Sequence, residues 1–154
     1  MLIDGAKINI PFEKDIVIPR PDKDIVLHVA AVPFEDEFKM AYPQPQPPVL
    51  KDLTGAIIKR DFDDKNYRKK IEEWTIARLD FLVIKSVKNV EWETVILEDK
   101  ETWSNWKKEC LSSGMTDPEV LRIVNETFEI HNPTQDMVEK MRADFLASAH
   151  LNEE

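Results

Sequence analysis

The 154-residue chain contains three glycines and one cysteine. So little glycine excludes a glycine-rich or collagen-like backbone. A single thiol, Cys110, excludes an internal disulfide and a multi-cysteine zinc site, and it fits a reducing cytoplasm. No run of about 18 uncharged apolar residues occurs, so no transmembrane helix is expected. The opening Met1-Leu2-Ile3-Asp4-Gly5 lacks the basic and apolar regions of a signal peptide. Basic charge is short as well: 21 Lys and Arg face 30 Asp and Glu, a net of −9. The densest basic run, Arg68-Lys69-Lys70, is followed by Glu72 and Glu73, so no basic stripe is available to neutralise nucleic-acid phosphates. The negative charge favours solubility or a basic protein partner.

Catalytic signatures are missing too. There is no Gly-rich phosphate loop, no GxSxG elbow and no Cys-x-x-Cys. His28, His131 and His150 fall on a strand, a helix end and the terminus, without HExxH-type spacing. They read as one half-buried strand histidine and two surface histidines. Cys110 has helical apolar neighbours and reads as a core thiol. Asp61, Asp63 and Asp64 invite a calcium loop, but the sixth position is Asn66 instead of glycine, so they read as a helix-capping cluster. The expectation is a protein without catalytic activity, metal or cofactor.

Proline is what the chain has in excess, and it is unevenly placed. Eight of the ten prolines lie in residues 1–48. The fold expected is α+β, one domain over 1–154. It has a strand- and proline-rich part (1–62) with a small N-terminal β-hairpin region and a Pro-rich connector. A helical part (63–150) forms a C-terminal bundle of about four helices. Asp15 to Pro19 and Asp24 to Val32 are β-branched runs around the turn Arg20-Pro21-Asp22-Lys23, which predicts a hairpin. Ile25, Leu27 and Val29 share one face of its second arm. Ala6 to Ile10 reads as an edge strand. Phe34 to Ala41 reads as a short helix with Phe34, Phe38 and Tyr42 on one side. Tyr42 to Pro48 is a polyproline-type connector, in which Pro45 and Pro48 have PxxP spacing. Val49 to Lys59 reads as a second hairpin, with Gly55 at a left-handed position.

Helix is predicted from about Asn66 to Lys88, with Tyr67, Ile71, Trp74, Phe81, Ile84 and Val87 as its stripe. Glu91 to Val95 is an extended link. A second helix over Glu101 to Ser113 buries Trp103, Trp106, Cys110 and Leu111, and Gly114 caps it. Thr116-Asp117-Pro118-Glu119 is a capping box before a third helix carrying Val120, Ile123, Val124, Thr127 and Phe128. Asn132-Pro133-Thr134 opens a fourth helix, with proline at its first position and Met137, Met141 and Phe145 on one face. Trp74 is expected in the core and Trp92 nearer the surface. The partner-binding candidates are Trp92, an aromatic in a link, and Met137, Met141 and Phe145, whose flexible thioethers and ring suit a varied client.

Several segments in order resemble a known family. Ile18-Pro19-Arg20-Pro21-Asp22-Lys23-Asp24-Ile25-Val26 comes first, then Tyr42-Pro43-Gln44-Pro45-Gln46-Pro47-Pro48-Val49. Phe62-Asp63-Asp64-Lys65-Asn66-Tyr67 then opens a helix containing Trp74. Val90-Glu91-Trp92-Glu93-Thr94-Val95 leads to Thr102-Trp103-Ser104-Asn105-Trp106, and Glu119-Val120-Leu121-Arg122-Ile123-Val124-Asn125 closes the series. Over residues 15–146 this order resembles the small tail proteins of long-tailed bacteriophages, of the tail assembly chaperone type. The resemblance implies a non-enzymatic protein that binds the tape measure protein, or another tail protein, in the host cytoplasm and is absent from the finished virion. Self-association is compatible with it; nucleic-acid and membrane partners are not expected. Two other classes compete: a structural virion protein of the tail or head–tail joint, and an acidic binding module aimed at a host protein.

Overall fold

Every strand of the described residues lies within residues 2–60, and four of the five α-helices follow them. The computed structural model describes residues 1–7 and 11–151; the side chains at 141, 145 and 148–151 fall outside that description. The architecture is α+β, as the sequence predicts: small antiparallel strand pairs come first and helices follow. β1 (Leu2–Ile3) pairs with β2 (Ala6–Lys7) in a short exposed hairpin. The expected edge strand over Ala6 to Ile10 is thus local to the N-terminus as far as Lys7, and its remainder lies outside the described residues.

β3 (Glu13–Ile18) and β4 (Ile25–Ala30) form the hairpin predicted around Pro21-Asp22, with Ile16 opposite Leu27 and Ile18 opposite Ile25. Period-two alternation sends Ile16 and Ile18 inward and Val17 outward. The outer edge of β4 is closed from the end of the long helix. Lys88 N donates to the His28 carbonyl (2.8 Å), the Asn89 side chain accepts from His28 N (2.8 Å), and it donates to the Val26 carbonyl (2.8 Å). A covered edge cannot recruit another strand.

α1 (Glu35–Ala41) places Phe38 beneath Trp74, Phe81 and Trp103. β5 (Val49–Lys51) and β6 (Ile57–Arg60) make the second predicted hairpin, with Gly55 at φ +86°. α2 (Lys65–Ser86) begins where the acidic cluster predicts: the Asp64 side chain accepts from Tyr67 N at 2.9 Å. Its burial is lopsided. Phe81, Leu82, Val83 and Ser86 are buried near its C-terminus, while the first half is largely exposed. α2 is therefore central only over its last turns.

The expected second helix is two pieces, a 3₁₀ turn at Lys100–Thr102 and α3 (Asn105–Ser112). Trp103, Trp106 and Cys110 are buried as expected, but Leu111 points to solvent. Leu111 follows Cys110 by 100° around the helix, which turns it off the buried face. Gly114 (φ +90°) closes α3: Met115 N donates to the Cys110 carbonyl and Gly114 N to the Leu111 carbonyl, each at 3.1 Å. α4 (Asp117–His131) carries the predicted capping box, with Thr116 and Glu119 bonded reciprocally. It packs on α2, α3 and the β3–β4 hairpin and joins helices to strands. Phe128, expected on its buried stripe, is instead half-exposed, and Ile130 takes the buried place. His131, read as a surface histidine, is half-buried: its Nδ1 bonds the Thr127 carbonyl (2.8 Å) and its Nε2 accepts from Val32 N (3.1 Å). α5 (Gln135–Leu151) starts at Thr134, whose hydroxyl accepts from Met137 N, not at Pro133.

Two apolar clusters result. One lies between the β3–β4 hairpin and α2, α3 and α4, around Ile16, Leu27, Val83, Trp106 and Ile123. The other is aromatic and lies between α1, α2 and the 3₁₀ turn, around Phe34, Phe38, Phe81 and Trp103. Among the described residues, α5 contributes to neither. β5–β6 contributes to neither as well.

Candidate interaction surfaces

Between the β3–β4 hairpin and α3 runs a groove of about 750 Å³. Its walls are Ile25 and Leu27 from β4, the link 90–94, one side of α3 and Met115. The link is irregular, so its backbone needs partners from side chains. Glu109 supplies them. Its carboxylate accepts from Glu93 N (2.6 Å), Thr94 N (3.3 Å) and the Thr94 hydroxyl (3.0 Å), while Asn105 Nδ2 donates to the Thr94 carbonyl (3.1 Å). One carboxylate therefore pins the Glu93–Thr94 end of the link to α3.

That clamp sets the position of Trp92. Its ring meets Trp106 edge-on, with centroids 6.2 Å apart. Its indole Nε1–H is buried and has no acceptor. A buried donor without a partner costs roughly 1–3 kcal/mol. Trp92 is half-buried, and so is Trp74. The expected contrast between a core Trp74 and a surface Trp92 is not what the structure has. Trp74 lies on α2's exposed half and is tied down by Phe38 and by its Nε1–H donating to the Tyr42 carbonyl (3.0 Å). The fully buried tryptophans are Trp103 and Trp106.

Cys110 also lines the groove. Burial, aided by Glu109, pushes its thiol up to about 11. It stays protonated at neutral pH and is a poor nucleophile. Among the described residues no three of His, Cys, Asp and Glu come together as a metal-binding group. The groove's lining combines the apolar Ile25, Leu27, Val90 and Met115 with the charged Glu91, Glu93, Lys108 and Glu109.

The other partner-binding candidates belong to α5 (Gln135–Leu151). Met137 is half-buried on the first turn of α5. Met141 and Phe145 are on the same helix, but their side chains lie outside the described residues. Among the described residues no contact joins Trp92 to Met137.

Sequence reasoning missed Asp80. It is buried on α2, where its carboxylate accepts from Trp106 Nε1 (2.9 Å) and pairs with Lys107 Nζ (3.1 Å). The available signal was an acid within an apolar run, Leu79-Asp80-Phe81-Leu82-Val83. The chain matches no known protein family, no curated protein and no solved structure. No helix among the described residues is long and apolar enough to cross a membrane.

Proposed function

We propose that this chain is a tail assembly chaperone of a long-tailed bacteriophage. It acts in the host cytoplasm, without catalysis, keeping a tape measure protein soluble while tail tube subunits assemble around that rod, and it is absent from the finished virion. The order of segments over residues 15–146 carries the reading. A structural observation supports it. The sequence gives α5 an apolar stripe through Met137, Met141 and Phe145, yet among the described residues the helix adds nothing to either core cluster. An apolar stripe of this spacing suits a helical client, which packs through residues at i, i+3 and i+4.

Co-expression with the tape measure protein tests this. Wild-type chain raises the soluble fraction of the client, and Met137→Asp, Met141→Asp and Phe145→Asp abolish that rescue while circular dichroism stays native. Unchanged rescue by folded variants moves recognition off α5. Failure of the wild type to rescue refutes the chaperone reading, and stoichiometric amounts of the chain in purified virions would favour a structural role.

A further inference from the structure

We draw no further inference here: the strongest candidate, the groove beside Trp92 between the β3–β4 hairpin and α3, has an apolar lining with rim charges of both signs, and nothing in the structure shows what covers it.

Discussion

In the β3–β4 hairpin the side chains of Ile16, Ile18, Leu27 and Val29 leave water entirely, whereas in β5–β6 those of Leu50, Ile57 and Ile58 stay in it. Locally the two hairpins are alike. Both have β-branched strands, and both turn through Asp with a residue suited to the bend, Pro21 in one and Gly55 in the other. What separates them is α4. That helix lays Val120 and Ile123 on the first hairpin and ties it down at three points. Arg20 grips Glu119 (2.7 Å), Lys14 pairs with Glu126 (2.8 Å), and Arg122 donates to the Val17 carbonyl (2.7 Å). Among the described residues no helix covers the second hairpin, whose residues are all exposed. Turn chemistry makes a hairpin, and a third element decides whether it becomes core.

Truncation should break the symmetry most visibly. Trp106→Ala is expected to cost about 3–5 kcal/mol and Ile16→Ala about 2–5 kcal/mol, because each opens a cavity in a fully buried site. Leu50→Ala and Ile58→Ala should stay within about 0.5 kcal/mol, as exposed substitutions do. Urea unfolding measures all four, and comparable losses in both hairpins would erase the distinction.

Asp80 sharpens it from the body's side. Asp80→Ala leaves the buried Trp106 N–H without its acceptor, for a loss of about 1–3 kcal/mol. Asp80→Asn keeps a carbonyl oxygen there and should lose less. Equal losses would place the effect in the Lys107 charge pair instead.

The hairpin–helix tie has a pH signature. Arg20, and then the Thr116 amide, hold the Glu119 carboxyl down to about 2 against an ordinary 4.5. The folded value lies below the unfolded one, so the stabilisation is complete above about pH 4.5. It is lost as pH falls through about 2. Glu119→Gln should flatten that acid limb in a series of melts. An acid limb identical to wild type would show that the pair contributes nothing.

Sequence legibility follows the same division. The Asp64 cap, the Thr116–Glu119 box, Gly114 and both hairpins are readable because each is decided within about five residues. Two misses are local, the split of the second helix and the start of α5 at Thr134, and the others concern partners distant in sequence. Leu111 and Phe128 belong to the right helices, but facing is settled by what those helices meet. The long stripe of α2 suggests a central helix, but its fully buried residues, Asp80, Phe81, Leu82, Val83 and Ser86, all fall in its last two turns. Trp74 and Trp92 come out equally half-buried because Tyr42 and Trp106 hold them, at separations of 32 and 14 residues. The groove was legible only through Trp92. Its rim required knowing that Glu109 folds the link onto α3.

The smallest effect tests the comparison with one perturbation made twice. Gly55 and Gly114 have nearly the same left-handed backbone, φ +86° and +90°, and an added Cβ meets nothing within 4 Å at either. Alanine therefore brings the same backbone penalty, roughly 1–2 kcal/mol, to both. Gly114 ends α3 and gives its carbonyl to Arg20 (3.2 Å), so its penalty falls on the cooperative body. Gly114→Ala should lower Tm by several degrees, since each kcal/mol is worth about 2–4 °C in a chain of this size. Gly55 lies in an arm that buries nothing in the body, so Gly55→Ala should leave Tm within about 1 °C, because local opening there is uncoupled from global unfolding. The penalty should appear instead as faster hydrogen exchange at the Thr54 and Ala56 amides, which Asp52 protects. A Tm loss at Gly55 matching that at Gly114 would mean that the arm folds as part of the core, and the contrast between the two hairpins would fail.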